Sequence, residues 1–187
     1  EAGVKLALKA VLVSPQFLFL GDTASSATKG PQPLDEFALA SRLSFYLWSS
    51  VPDEELLRLA ERGELRRNLD PQVRRLLASP KAHAMVDNFA GQWLQIRSLE
   101  TMQPDKLLFA DYDGNLRAAM QRETELFFEN VMREDRSVFD FLTGDYTFVN
   151  ARLAKFYGLP EMRGEEFQKV SLVGTPPANK EAASKIV

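Results

Sequence analysis

Residues 34–57, LDEFALASRLSFYLWSSVPDEELL, decide the fold. At about 100° per residue, Phe37, Leu39, Ala40, Leu43, Phe45, Tyr46, Leu47 and Trp48 leave no wide polar face, the pattern of a helix packed on several sides. This segment is expected to be the buried hub. Only Ser41, Arg42 and Ser44 interrupt it. An arginine sunk in such a helix either runs its aliphatic stem out to water or pairs with a buried carboxylate. Asp35 is placed to cap the helix. Ser49-Ser50-Val51-Pro52 ends it and opens the next, with Asp53, Glu54 and Glu55 at the positive end of that helix dipole and Gly63 as its stop.

Working outward, residues 4–13, VKLALKAVLV, predict a short helix that Ser14-Pro15 terminates. Residues 16–20, QFLFL, are expected to pack onto the hub. Residues 21–33, GDTASSATKGPQP, have the composition of a flexible surface loop. Beyond the hub, a third short helix over Pro71–Ala78 is capped by Asp70 and ended by Ser79-Pro80. A long helix is predicted from Lys81 to about Ser98, with Met85, Phe89, Gln92 or Trp93, and Ile96 as its stripe. The longest runs from Asn115 to about Arg133, striped by Leu116, Met120, Glu123, Phe127 and Val131. A helical turn over Ser137–Leu142 and an extended link over Asp145–Val149 follow, then a helix over Arg152–Tyr157 capped by Asn150 and ended by Gly158-Leu159-Pro160. The one strand-like stretch is Glu166–Leu172, EFQKVSL. There is no internal repeat. The class is all-α: a helical bundle of about six to eight helices joined by short capped turns, with a small extended segment near the C-terminus.

Composition narrows the function classes. The chain has 187 residues, 45% of them hydrophobic and 26% charged, with a net charge of -3. Nucleic acid and anionic membranes both require a clear basic excess, so neither is an expected partner. Arg58, Arg62, Arg66, Arg67, Arg74 and Arg75 alternate with Glu61, Glu64 and Asp70, which reads as a solvated face. Without cysteine there is no disulfide, thiolate nucleophile, zinc-thiolate site, iron–sulfur cluster or covalent haem within this chain. The longest apolar run, residues 11–20, is broken by Ser14-Pro15-Gln16 and is too short for a membrane span. The chain opens at Glu1 in a helical pattern with no initiator methionine and no signal peptide, which reads as a piece of a longer polypeptide.

Six constellations bear on chemistry. His83, the single histidine, lies one helical turn before Asp87, within contact on a helix face. A His–Asp pair begins a base or a ligand set, yet no nucleophile or second histidine completes it. Glu125 and Glu129 lack the Glu-x-x-His partners of carboxylate-bridged metal sites, so a wet helix face is the better reading. Asp111-Tyr-Asp113-Gly-Asn115 begins like a calcium loop, but its glycine comes two places too early and Arg122 stands where the closing glutamate belongs. A helix cap at Asp113 or Asn115 explains it better. Glu123 sits inside an apolar stripe as Arg42 sits inside the hub. The two are expected to pair with each other or with similarly placed groups such as Arg97 or Asp87, in a structural ion pair. Trp93 and Arg97, one turn apart, suit a cation–π contact. Trp48 and Trp93 suit a sugar or haem pocket, although large aromatics at helical spacing usually form core.

Longer strings carry a family resemblance. LASRLSFYLWSSVPDEELL at residues 39–57, VDNFAGQWLQIRSLE at 86–100, RAAMQRETELFFENVMREDRSVFDFL at 117–142 and DYTFVNARLAKFYGLP at 145–160 resemble central domains of unknown function in large secreted planctomycete-type proteins, many of which carry a cytochrome c domain. AGVKLALKAVLVSPQFLF at residues 2–19 is similar to the end of the domain that precedes them. The resemblance implies an exported location, haem c held in another domain of the parent protein, and other domains of that parent as partners. It supplies no reaction and no catalytic residues. Residues 1–33 then form an N-terminal helix and loop, residues 34–172 the main helical domain, and residues 173–187 a linker or joined segment, since GTPPANKEAASKIV departs from the family's Gly-rich continuation.

The expected function is a non-catalytic scaffold or docking module. The rival is an enzyme domain acting on a carbohydrate or small organic substrate, with Glu123, Asp87 and Arg42 around an aromatic pocket. A third reading makes the chain one wall of a haem pocket, with His83 or Met85 contributing to the iron and Trp93 or Trp48 to the lining. A deep pocket exposing a carboxylate and a tryptophan favours the enzyme, and a broad apolar surface favours docking.

Overall fold

The computed structural model of the protein describes residues 2–18 and 33–173. These are mostly helical, with a single two-stranded antiparallel sheet among the described residues. The surface loop expected at residues 21–33 falls almost wholly outside them, as do Phe19, Leu20 and nearly all of the expected linker. No described helix is long and apolar enough to cross a membrane. The chain divides into two compact units, Glu1–Phe45 with Val51–Leu69, and Tyr46–Ser50 with Asp70–Val187.

In the first unit, the helix Ala2–Leu12 buries none of its residues. A break at Ser14 leads to a single turn, Pro15–Leu18, whose Phe17 and Leu18 are exposed, so these two do not pack as the sequence suggests. The hub helix is Glu36–Trp48, and Asp35 Oδ1 accepts the Ala38 amide at 2.8 Å as its cap. Its burial is one-sided: Ala40, Ser44, Leu47 and Trp48 are buried, while Phe37, Arg42 and Tyr46 are exposed. Apolar identity on every face therefore did not mean burial on every face, and Arg42 stands at the surface. The next helix, Glu54–Glu61, starts where Asp53 Oδ1 accepts the Leu56 amide at 3.0 Å. It ends at Gly63, whose φ of 68° lets the Glu64 amide reach the Leu59 carbonyl at 2.9 Å. Leu56, Leu59 and Leu65 supply the buried apolar side chains. Arg66 holds the hub's start, its amide on Glu36 and its guanidinium on the Leu34 carbonyl at 2.6 Å.

The second unit begins with the end of the hub. Trp48 is buried, its indole Nε1 donates to the Leu76 carbonyl at 2.9 Å, and Arg75 and Lys81 lie over its ring. It is core, not pocket lining. The helix predicted from Pro71 runs Leu69–Ala78 and grows directly out of a 3-10 turn at Arg66–Asn68, so Asp70 lies within its first turn and is not its cap.

The long helix expected to reach Ser98 is irregular. A 3-10 turn at Pro80–Ala82 leads into His83–Met85, a π-helical turn at Val86–Ala90, and Gly91–Trp93. Gln95, at φ 52°, then breaks the helix before a 3-10 stretch at Ile96–Glu100. The π turn inserts i→i+5 geometry and shifts the register. Val86 and Ala90 are buried in place of Phe89 and Trp93, which are exposed.

The longest helix, Gly114–Arg133, begins at Asp113, whose Oδ1 accepts the Leu116 amide at 2.7 Å. That cap accounts for the acidic stretch that opens like a calcium loop. After the short helix Asp140–Thr143, strand β1, Tyr146–Val149, pairs with β2, Gln168–Ser171, in the register Tyr146↔Ser171 and Val149↔Gln168. Between them lies the helix Ala151–Tyr157, capped by Asn150 Oδ1 on the Leu153 amide at 3.0 Å and ended by Gly158 at φ 69°. Leu116, Ala119, Val149, Leu153 and Ala154 make one core cluster. Val86, Ala90 and Phe128 make another.

Candidate functional site

A cleft of about 700 Å³ opens in the second unit, within the size range of small-molecule sites. Three elements build it. The long helix presents Glu123, Thr124 and Phe127; the short helix Asp140–Thr143 presents Asp140, Phe141 and Leu142; the segment from Gly144 through β1 presents Tyr146 and Thr147. Tyr157 and Leu159 close it from the end of the next helix.

Glu123 is the chemical centre. Its Oε1 accepts the Thr147 hydroxyl and its Oε2 accepts the Tyr157 hydroxyl at 2.7 Å. The expected ion pair is therefore not made: two hydroxyls take the place of a guanidinium, and Glu123 makes no ion pair with a cation among the described residues. Burial pushes the Tyr157 hydroxyl well above the usual tyrosine range, and the hydrogen bond to Glu123 and that group's charge push it further. Asp140, the second acid of the cleft, is held by Arg136 Nε at 2.5 Å.

The wall is aromatic. Tyr146 stacks on Phe127 with centroids 4.8 Å apart and planes at 15°, while Lys169 and Arg136 lie 4.2 and 4.9 Å from the Tyr146 centroid. The Tyr146 hydroxyl is buried without a hydrogen bond of ordinary geometry, and burial raises its pKa, with the Asp140 carboxylate adding to the rise. Gly144 shapes the corner, because a Cβ there would meet the Asp140 carbonyl at 2.6 Å and Phe127 Cζ at 2.9 Å.

The other residues singled out in the sequence do not converge here. Of the two candidates in the second unit, Glu123 lines the cleft and Asp87 does not; Arg42 belongs to the first unit. His83 does meet Asp87, Nε2 to Oδ1 at 3.3 Å, and its Nδ1 faces Glu129 Oε2 at 3.5 Å. The two carboxylates sit on opposite ring nitrogens, and no cluster of three or more such groups among the described residues is arranged to hold a metal ion. Glu125 and Glu129 are not on a wet face. Their side chains are only 16% and 17% exposed and take Arg122 at 3.1 Å and Arg133 at 2.8 Å. Arg97 does not stack on Trp93. The break at Gln95 separates them, and Arg97 donates instead to the Asp87 carbonyl and Asn88 Oδ1. Trp93 stacks on Phe89 and sets its edge against Phe141, the back of one cleft wall. Met85 is half-buried beside the π turn.

A family of proteins of unknown function, DUF1592 (PSD4), matches residues 34–159, well over half of the chain. The chain belongs to that family. The DUF1592 match contains Glu123, Asp140, Thr147 and Tyr157, and stops before β2 and Leu172. No curated protein and no solved structure matches.

Sequence reasoning found Glu123 but missed Thr147, Tyr157, Asp140 and Gly144. The signal in reach was Tyr146-Thr147-Phe148-Val149: a polar residue flanked by aromatics in an extended stretch, with its hydroxyl on the face opposite Phe148.

Proposed function

We propose that this DUF1592 domain is a non-catalytic scaffold and docking module of a larger exported protein, whose other domains are its partners and include a separate haem c domain. One observation carries the reading. In the second unit Val138, Phe139 and Leu142 are 70%, 67% and 85% exposed on one short stretch, and Trp93, 57% exposed, packs against the Phe141 ring within it. Apolar surface gathered in this way marks an interaction site, since covering it is worth roughly 25 cal/mol per Å². The resemblance of residues 2–172 to central domains of exported multidomain proteins supports the choice of partner.

The enzyme reading draws on the Glu123 carboxylate in an aromatic cleft. It is weakened because Asp87 does not line that cleft, no tryptophan among the described residues of the second unit does, and Asp140 is tied to Arg136. The haem-wall reading is weakened because both nitrogens of His83 face carboxylates. Hydroxyl-radical footprinting tests the docking reading. Trp93, Phe139 and Leu142 should be oxidised in the isolated chain and protected in the parent polypeptide from its native source. Equal oxidation in both would overturn it.

A further inference from the structure

We infer that the Glu123 cleft is a binding site for a small organic amine, taken as its ammonium ion with an apolar body. The cleft shares Phe141 and Leu142 with the docking surface, but its ligand is set by charge complementarity at Glu123 and does not depend on docking. A carboxylate offers about four lone-pair positions, and Glu123 uses two of them on Thr147 and Tyr157. It has no cationic partner among the described residues, whereas the neighbouring acids Glu125, Glu129 and Asp140 each have an arginine. A negative group so placed, in a cleft walled by Phe127, Phe141, Leu142 and Leu159, lacks one thing: a positively charged donor. An ammonium group supplies it through a charge-assisted hydrogen bond. The rings beside it favour a cation over an anion or a neutral hydroxyl. The cleft's volume suits a ligand of roughly drug size, and its apolar walls suit a hydrocarbon or aromatic body.

The Tyr157 and Thr147 hydroxyls are positioning residues. Both donate to Glu123, which fixes the carboxylate's orientation and spends their protons on it. The cleft therefore presents the ligand mainly with acceptors, an arrangement that rejects carboxylates and phosphates.

The test is calorimetric titration of the 187-residue chain with 2-phenylethylammonium, 2-phenylethanol and 3-phenylpropionate. The ammonium should bind at least about ten-fold more tightly than the alcohol, the scale of one charge-assisted hydrogen bond. The propionate should not bind. Glu123→Gln should abolish the preference. Leu142→Arg provides a second variant, at a largely solvent-exposed wall residue: it removes apolar contact with either ligand but also places a competing cation at the rim, so it should weaken the ammonium several-fold more than the alcohol. Equal affinity for ammonium and alcohol, no binding of the ammonium at millimolar concentration, or a preference that survives in a folded Glu123→Gln or is unmoved by Leu142→Arg would each overturn the assignment.

Discussion

The Tyr157 hydroxyl lies 2.7 Å from Glu123 Oε2, and this bond ties the end of one helix to the middle of another across 34 positions of sequence. Removing it with Tyr157→Phe takes one of two donors from a partly buried carboxylate. The expected loss is about 1.5–3 kcal/mol, the range for hydrogen bonds to charged groups, read from urea unfolding. A loss below about 0.5 kcal/mol would show the bond to be incidental.

The same bond sets an alkaline limit. Tyr157 titrates higher in the folded protein than its ordinary value of about 10, first through burial and then through Glu123. A raised folded value means the contribution is complete below pH ~10 and is lost as pH climbs toward the folded value, because the unfolded chain releases its proton first. Stability should therefore fall more steeply above pH ~10 in the wild type than in Tyr157→Phe, as seen in melting temperatures measured across that range. Parallel curves would refute the coupling.

Tyr146 points the other way. Its buried hydroxyl makes no hydrogen bond of ordinary geometry, with Asp140 as the acceptor acting on it, while its ring is held by Phe127, Arg136 and Lys169. Tyr146→Phe keeps the ring contacts and deletes the unsatisfied group, so stability should stay level or rise by up to about 1 kcal/mol. A drop of that size would mean that the hydroxyl makes a working hydrogen bond to Asp140.

Gly144→Ala should cost about 1–3 kcal/mol, because the added carbon would lie 2.6 Å from a backbone carbonyl that cannot swing aside. The strain falls on Phe127 as well, so amine affinity should drop along with the unfolding free energy.

Asn150→Ala removes the acceptor for the Leu153 amide at the start of the helix that carries Tyr157. About 1 kcal/mol of stability should go with it, and replacement by Asp should restore most of that. Equal losses with Ala and Asp would show that the side chain acts by some means other than capping.

What could be read from the sequence was local. Asp35, Asp113 and Asn150 cap their helices, and Gly63 and Gly158 stop theirs, because each needs only the three or four residues beside it; Asp53, read only as a helix-start charge, is a cap, and Asp70, read as a cap, lies inside its helix. The irregular helix after Ser79 was not legible. The π turn at Val86–Ala90 and the left-handed Gln95 contain no glycine or proline, and together they turned Phe89 and Trp93 out of the predicted stripe, though Ile96 stays buried, and undid the Trp93–Arg97 contact. Glu123 was legible as an apolar-stripe carboxylate, but its partners were not. They are uncharged hydroxyls 24 and 34 residues away, Thr147 brought in by a strand whose own partner lies beyond the helix it precedes and Tyr157 by the end of that helix. The cleft is a property of that packing, and no short window of the chain contains it.

The two tryptophans sit in opposite surroundings: Trp48 is enclosed and hydrogen-bonded to a carbonyl, and Trp93 is open to solvent with its edge on Phe141. In fluorescence they form two separate optical channels. The blue-shifted emission of the enclosed indole reports whether the fold is intact, and the red-shifted emission of the open one reports on the region beside the cleft. A ligand or a docking domain can thus be followed in the unlabelled protein, with its own internal control for unfolding.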